Sequence, residues 1–188
     1  RHANARVRGM KRVQVEPHLS ITGACSAQWV PIRPKTDAAF LYALIHVMLH
    51  EAGRDKLDLP HLAQRTSSPY LVGPHGYYLR DRETRKPLVW DEAAGRAALH
   101  DAPGIREALS ASVTVDAIEI GADGDILGDG ALEGQTAFDK LVAHMAPYSP
   151  EWAERICDVP AATMRKVANE YLDHACIGQT DEINGKVM

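Results

Sequence analysis

Two short apolar segments, VQV at 13–15 and WVPI at 29–32, are each followed at once by a polar loop. The first segment runs into Glu16 and Pro17, and the second runs into RPKTD at 33–37. Alternation in VQV and the proline within WVPI predict two short strands, the second short or at a sheet edge. Because a helix signal follows the second loop, this arrangement is typical of an α/β unit whose strands end in polar turns.

The strongest helix signal begins after Thr36. Threonine is a good N-cap residue, and Asp37 lies in the first turn, where the helix dipole favours a carboxylate. Apolar residues then recur at helical spacing, and Gly53 is expected to end the helix. The residues expected on its buried face are Phe40, Leu41, Leu44, Ile45, Met48 and Leu49.

The sequence at 69–135 departs from this α/β rhythm. A short helix over residues 58–65, capped by Asp58, precedes it. YYLRD and PLVWD flank the polar turn DRETRK and predict a β-hairpin, while VTVDAIEI and the following IL predict a second hairpin around ADGD. We interpret residues 69–135 as a hairpin-rich insertion without a large core of its own.

Helical patterns return after the insertion, first near Phe138. In YSPEWAERIC, Ser149 is the expected N-cap and Pro150 takes the first helical position. Asp158 or a neighbour is expected to cap the last helix, whose core-facing residues recur at helical spacing. Those residues are Met164, Val167, Ala168, Tyr171 and Leu172.

Together these elements predict an α/β fold with a doubly wound, mostly parallel sheet of the Rossmann or flavodoxin kind. We expect residues 1–68 to form the first part of a single cofactor-binding domain, 69–135 to be the insertion, and 136–188 to return to the domain. The chain starts at Arg1 and stops just after a turn-rich stretch, which predicts a fragment of a larger polypeptide.

Composition excludes several classes of function. The net charge of −4 gives no electrostatic basis for nucleic acid as the main partner. The three cysteines are widely spaced without a CxxC pair, so neither a disulfide framework nor a cysteine-rich zinc site is indicated. The longest apolar stretch, residues 38–49, is too short to span a bilayer and contains His46.

No candidate for catalysis or metal binding is convincing on its residues. His46 and His50 have the i, i+4 spacing of two ligands on one helix face, but no third ligand accompanies them. A hydrogen-bonded His46 in the core or at an interface is the expected interpretation. DGDILGDG lacks the pattern of a calcium loop and predicts a hairpin turn. Cys25 would need a histidine partner to act as a nucleophile.

The two polar loops remain as the candidate site. Ligands of doubly wound sheets lie beyond the carboxyl ends of the strands. Glu16 has the acceptor oxygens that ribose hydroxyls require, and His18 and Lys35 could donate to phosphate or guanine oxygens. Asp37 could accept from the N1–H and exocyclic amine of guanine, and Thr36 offers a hydroxyl and a helix-start N–H. The alternative is that all these side chains are ordinary caps and loop residues.

Two motifs resemble one family. MKRVQVEPHLSITGACSAQWVPIRPKTDAAFLYALIHVMLHEAG resembles the molybdopterin oxidoreductases of the dimethyl-sulfoxide-reductase type. The family pattern there is a strand ending in Asp-Pro-Arg, then Ile-Arg-Pro-Gly-Thr-Asp and an alanine-rich helix. YSPEWAERICDVPAATMRKVANEY is similar to the family's later Thr-Pro-Glu-Trp-Ala…Gly-Ile-Pro-Ala-Glu-Thr-Ile segment. The motifs bracket residues 10–172 in the family's order.

This resemblance implies a bacterial electron-transfer enzyme with molybdenum or tungsten held by two molybdopterin guanine dinucleotides. The chain would be most of the α/β domain that binds the guanosine end of one dinucleotide. Glu16, Pro17 and His18 stand at the Asp-Pro-Arg loop, and Lys35, Thr36 and Asp37 stand at the Gly-Thr-Asp loop. These six residues are the expected cofactor-binding set, and none is expected to be catalytic or to bind the metal.

The family also implies an iron–sulfur cluster and a metal-ligating side chain, both expected outside this chain, so the fragment alone is expected to be inactive. The implied partners are the other domains of the catalytic subunit, together with an iron–sulfur electron-transfer subunit.

Three of the six expected cofactor-binding residues depart from the family motifs. Glu16 replaces aspartate and keeps the acceptor on a longer arm, while His18 replaces arginine and makes any phosphate contact there pH-dependent. Lys35 replaces glycine, which is tolerable only if the position does not need a positive φ. The alternative function is a stand-alone flavodoxin- or Rossmann-like module that binds a simple nucleotide or a protein partner. A helical interaction domain decorated with hairpins is a third interpretation.

Overall fold

The computed structural model of the chain describes residues 2–179 and the backbone of two short strands after them. The chain divides into two compact units, Arg1–Leu57 with Met145–Met188 and Asp58–His144. We call these the first unit and the second unit. In chain order, the elements are α1 (His2–Val7), β1 (Val13–Val15), α2 (Ile21–Ala24), β2 (Gln28–Val30), α3 (Asp37–His46), a π-helical turn (Val47–Glu51), a 3-10 turn (Arg54–Lys56), α4 (Leu59–Arg65), β3 (Leu71–Val72), β4 (Leu79–Arg80), β5 (Leu88–Asp91), β6 (Arg96–Leu99), β7 (Ser112–Ile120), β8 (Ile126–Thr136), α5 (Ala137–Met145), α6 (Pro150–Cys157), α7 (Ala161–Asp173), β9 (Glu182–Ile183) and β10 (Lys186–Val187).

The first unit is built around the parallel pair β1–β2, with Val15 opposite Val30 in the register. Helix α3 packs against α6 and α7, which pack against each other. The mixed helix and strand content agrees with the α/β prediction. Within the described residues, this unit holds one parallel pair, so the doubly wound sheet stays a prediction. The buried core consists of Val30, Ile32, Ala39, Phe40, Ala43, Ala153, Cys157, Val159 and Met164.

Helix α3 begins and ends close to the predicted positions, with local differences. Thr36 occupies the N-cap position, but its side chain makes no capping hydrogen bond. The α-helical geometry gives way to the π-helical turn at Val47 and stops before Gly53. Leu41 was expected on the buried face and is 54% exposed, while Val47 is buried instead. Phe40, Ala43 and Val47 are buried at ordinary helical spacing, so Leu41 lies beside the buried stripe rather than within it.

The second unit is mainly antiparallel. Its four-stranded sheet has the order β3-β8-β7-β4, and β5 and β6 form a separate two-stranded sheet. The β7–β8 hairpin confirms the prediction made from VTVDAIEI and ADGD. The unit has a core of its own, although the insertion was expected to lack a large one. Its buried members are Leu71, Leu79, Leu88, Val115 and Ala117.

The predicted pairing of YYLRD with PLVWD is confined to the end next to the turn, where the Asp81 amide donates to the Lys86 carbonyl at 3.0 Å. Strand β4 pairs with β7, and β5 pairs with β6, so only a bridge between Arg80 and Pro87 joins the two segments. The long strand β7 offers β4 a partner with a buried face, which outweighs the short local connection.

The structure differs from expectation at two residues of the last helices. Asp158 is the C-cap of α6 rather than the N-cap of α7, where Pro160 stands. Tyr171 is 68% exposed, so it does not belong to the core stripe of α7. Among the described residues, no helix combines the length and apolar character needed to cross a bilayer.

Candidate functional site

The two predicted loops follow neighbouring parallel strands at the same edge of the β1–β2 pair. The amide of Glu16 donates to the carbonyl of Val30 at 3.2 Å, which joins the start of the first loop to the end of β2. The indole Nε1 of Trp29 also donates to the carbonyl of Glu16, at 3.1 Å. We call residues 16–20 the first loop and residues 31–36 the second loop. Their position is the one where ligands bind in doubly wound sheets.

The carboxylate of Glu16 turns back onto its own loop. Its Oε1 accepts from the Ser20 amide at 2.9 Å and from the Ser20 hydroxyl at 2.7 Å. These two bonds hold the pKa of the Glu16 carboxyl below its ordinary value. Ser20 in turn caps α2 by accepting from the amide of Gly23 at 3.1 Å. The ionised carboxylate of Glu16 is thus held in place, with Oε2 receiving a long bond from Gln14 at 3.5 Å.

Gly23 is needed for this close approach. A Cβ at that position would lie 2.2 Å from Oε1 of Glu16, far inside contact distance. Pro17 and His18 follow Glu16 and are both exposed to solvent. The imidazole of His18 also contributes electrostatically to the lowered pKa of the Glu16 carboxyl, after the bonds from Ser20.

The backbone of the second loop is strained at Lys35, whose φ is 67°. The family pattern has glycine here. Lysine would be tolerated without strain only if the position did not need a positive φ, and the structure shows that it has one. A left-handed backbone costs an ordinary L-residue about 1–2 kcal/mol. The Lys35 side chain is exposed, so the strain is not offset by burial of the side chain.

Arg33 anchors the second loop to the end of α6. Its Nε and Nη2 donate to the two carboxylate oxygens of Asp158, each at 3.0 Å. Its backbone amide donates to the carbonyl of the fully buried Cys157 at 2.9 Å. The paired planar groups are the bidentate arrangement that arginine forms with carboxylates. Asp158 has a left-handed backbone with a φ of 60°.

Thr36 and Asp37 connect the second loop to α3. The Thr36 hydroxyl donates to the carbonyl of Arg33 at 2.6 Å, so it holds the loop rather than capping the helix. Asp37 is exposed in the first turn of α3. In the part of the chain that the structure describes, no hydrogen bond or ion pair occupies its carboxylate. Asp37 is therefore available to a ligand, whereas Thr36 is already engaged.

Sequence reasoning missed the residues that shape this site. Ser20 and Gly23 are unremarkable in a small polar stretch, although a serine three residues before a glycine is compatible with an N-cap. The Arg33–Asp158 pair spans 125 residues. Its members fall within the two motifs that resemble the family, but nothing in either motif signals that they meet.

The structure also shows the surroundings of the other candidates, namely the histidine pair, the DGDILGDG stretch and Cys25. His46 Nδ1 lies 2.9 Å from the carbonyl of Met145, which confirms the expected hydrogen bond, and its ring stacks on His50 at 4.8 Å. No group of three possible ligands that could hold a metal occurs within residues 2–179. Asp129 of DGDILGDG lies on β8 and contacts Arg82, and the turn before it joins β7 to β8 as predicted. Cys25 is exposed.

Comparison with known proteins identifies similar oxidoreductase subunits. No protein-family model matches the chain. The alpha subunit of the chlorate reductase of Ideonella dechloratans is 28% identical over 172 residues, 87% of this chain and 18% of that protein. A sulfite dehydrogenase subunit of Allochromatium vinosum is 28% identical over 173 residues, 87% of this chain and 17% of that protein. The alpha subunit of the perchlorate reductase of Dechloromonas aromatica is 24% identical over 199 residues, 90% of this chain and 21% of that protein.

The chain spans about a fifth of the length of the curated relatives it matches. All three relatives are named as subunits of reductases or dehydrogenases. These matches confirm the resemblance of this chain to the molybdopterin oxidoreductases of the dimethyl-sulfoxide-reductase type.

Proposed function

We propose that this chain is the part of a molybdenum or tungsten oxidoreductase catalytic subunit that binds the guanosine end of one molybdopterin guanine dinucleotide. The observation that carries the proposal is the position of the two polar loops, which leave adjacent parallel strands at one edge. The relatives, which are reductase and dehydrogenase subunits, supply the class of enzyme.

The residues of the loops fit a guanosine group. The exposed Asp37 carboxylate can accept from the N1–H and the exocyclic amine of guanine, a bidentate match. Glu16 stays ionised in its bonds with Ser20, and its Oε2, which also receives the long bond from Gln14, can accept from a ribose hydroxyl. His18 and Lys35 are exposed donors beside these acceptors and suit a phosphate or a guanine oxygen. Pro17 and Thr36 shape the loops.

A larger parallel sheet is part of the proposal. Within the described residues, β1 has a single neighbour, β2. A mainly apolar groove of about 560 Å³ lies beside β1 and is lined by Met10, Val13, Val15, Phe40 and Leu44, among others. Parallel sheets are stable when neighbouring strands and helices cover them. We propose that further strands of a doubly wound sheet continue on this side, and that segments 1–68 and 136–188 form one domain around the insertion.

We propose separate roles for the cofactor and for the residues of this chain. When bound, the metal and its pterins supply the redox chemistry. The residues of this chain bind and orient the nucleotide end, and the chain alone is inactive. The iron–sulfur cluster and the metal ligand belong to other parts of the catalytic subunit, whose partner is an iron–sulfur electron-transfer subunit.

The test uses the full-length subunit, purified natively, with metal and acid-released GMP measured for each polypeptide. Asp37→Ala removes a charged bidentate acceptor, so nucleotide loss on dilution should accelerate about tenfold or more. Asp123→Ala, which removes an exposed carboxylate from the β7–β8 turn, is the matched control. Unchanged GMP retention in Asp37→Ala would remove Asp37 from the site. A native subunit without metal and pterin would refute the proposal as a whole.

A further inference from the structure

Lys35 and Asp158, two of the non-glycine residues of the first unit that have left-handed backbones, have φ of 67° and 60°. Each stands where the family motif quoted for its segment has glycine. Residues held in this region cost free energy, and an observed outlier is a reason to look for a function of the side chain. Lys35 lies on the second loop, and Asp158 contacts that loop through Arg33.

A continuous series of contacts leads from Asp158 to the start of α3. The Asp158 carboxylate pairs with Arg33 through two hydrogen bonds of 3.0 Å. The backbone of Arg33 is fixed on both sides, since its amide donates to Cys157 and its carbonyl accepts from the Thr36 hydroxyl at 2.6 Å. Thr36 directly precedes Asp37, the first residue of α3. Displacing Arg33 would therefore move the residues that carry the proposed guanine contact.

The ion pair also changes which cation the second loop can offer to a ligand. Both carboxylate oxygens of Asp158 are taken up by the Arg33 fork, which neutralises the guanidinium. No ion pair occupies the Lys35 ammonium in the described residues, and this side chain is exposed. The loop thus presents a lysine, rather than an arginine, as its available positive charge.

We propose that Asp158 is a positioning residue of the nucleotide site: by holding Arg33 it fixes the second loop and leaves Lys35 as the loop's contact for an anionic group of the nucleotide. This inference rests on the proposed function. The pair itself contributes little to the stability of the fold, because the Arg33 and Asp158 side chains are 53% and 62% exposed. Removing the pair should therefore weaken nucleotide retention while changing the free energy of unfolding little.

Three variants of the full-length subunit test this separation. Asp158→Gly removes the carboxylate and relieves the left-handed backbone, so the unfolding midpoint should stay level or rise. GMP loss on dilution should nevertheless accelerate by up to about fivefold, the range of an exposed charge pair. Arg33→Lys keeps the charge but loses the fork and should accelerate GMP loss in the same way. Asparagine tolerates the left-handed backbone and keeps one acceptor oxygen. The rate of GMP loss from Asp158→Asn should therefore lie between the rates of the wild type and Asp158→Gly.

Asp37→Ala serves as the reference for the site. If it releases GMP while Asp158→Gly and Arg33→Lys retain GMP at the wild-type rate, the positioning role is refuted and the proposed function stands. If GMP loss in the variants only follows a fall in the unfolding midpoint, the pair is merely structural and the inference also fails. If Asp37→Ala has no effect, Asp37 is removed from the site, whereas a native subunit without metal and pterin would refute the proposed function itself. High salt should reproduce the effect of Asp158→Gly in the wild type, because exposed pairs are screened.

Discussion

The carboxylate of Glu119 lies wholly buried on β7 and accepts a hydrogen bond from Nδ1 of His75 at 2.9 Å. Its other oxygen, Oε1, accepts from the backbone amides of His75 and Tyr77, both at 3.0 Å. A Cβ on Gly73 would lie 2.6 Å from this carboxylate, so glycine is needed for the approach. A buried charge is tolerated where hydrogen bonds satisfy it. Glu119 and the turn over residues 73–77 therefore depend on each other.

Glu119→Ala should destabilise the protein by about 3 kcal/mol, because it removes a wholly buried side chain and the acceptor of two backbone amides and the His75 ring. Glu119→Gln should cost at most about 1 kcal/mol. Its amide oxygen can replace Oε1, and its NH₂ group can donate to Nδ1 of His75 in the tautomer whose proton lies on Nε2. Urea unfolding measures both values. A Gln variant as unstable as the Ala variant would show that the charge, rather than the hydrogen bonds, maintains the turn.

The sequence predicted those structural elements that are determined by residues close to each other along the chain. The start of α6 is an example, since Ser149 accepts from the Trp152 amide and Pro150 takes the first position. Asp158 was one of the expected N-caps because aspartate before a helix ordinarily signals an N-cap, but it is a left-handed C-cap, a position usually taken by glycine. The pair that Asp158 forms with Arg33 spans 125 residues, so local patterns could not reveal it.

Strand pairing in the second unit was harder to predict because it too depends on residues that are far apart in the sequence. A turn signal such as DRETRK favours pairing between its flanks, but β4 instead pairs with β7, where Leu79 is opposite Glu119. The choice depends on which partner buries the faces of both strands, and that is a property of the whole sheet. The positions of the two candidate loops were predictable because each directly follows its strand.

Lys35→Gly should leave the free energy of unfolding unchanged or raise it by up to about 1 kcal/mol, because relief of the left-handed strain exceeds or balances the greater chain entropy of glycine. Lys35→Ala keeps the strain and should give no such gain. Both variants remove the ammonium group, and both should weaken nucleotide retention by the full-length subunit to the same degree. Unfolding and GMP release measured on both variants separate the backbone effect from the charge effect. Full retention in both would exclude Lys35 from the site.

The salt bridges of Arg165 predict a pH dependence of stability. Arg165 pairs with Glu151 at 2.6 Å and with Glu51 at 2.7 Å, joining α6 and the π-helical turn to α7. The hydrogen bond from Arg165 lowers the pKa of Glu151 from 4.5 to about 2. Since the folded state has the lower pKa, this stabilisation is complete above about pH 4.5 and is lost as the pH falls towards 2.

Urea unfolding at a series of pH values should therefore show that the free energy of unfolding of the wild type falls between about pH 4.5 and 2. The fall should be smaller in Glu151→Gln. Glu154→Gln, an exposed neighbour on the same helix, is the matched control and should retain the wild-type slope. High salt should flatten the wild-type profile, because the Glu151 side chain is 58% exposed. An unaltered slope in Glu151→Gln would assign the acid sensitivity to other carboxyl groups.

Ser20 and Gly23 should control the proposed ribose contact through Glu16. Ser20→Ala removes the hydroxyl that donates to Oε1 at 2.7 Å, so the pKa of the Glu16 carboxyl should rise towards its ordinary value. Gly23→Ala places a Cβ 2.2 Å from the same oxygen and displaces the carboxylate without changing its charge. Because the end of a flexible side chain can move, the fold should tolerate Gly23→Ala at a cost of about 1 kcal/mol. Both variants should accelerate GMP loss from the full-length subunit, and Glu16→Gln combined with either should add nothing further. Additive losses would mean that Ser20 and Gly23 act on the nucleotide by a route that does not include Glu16.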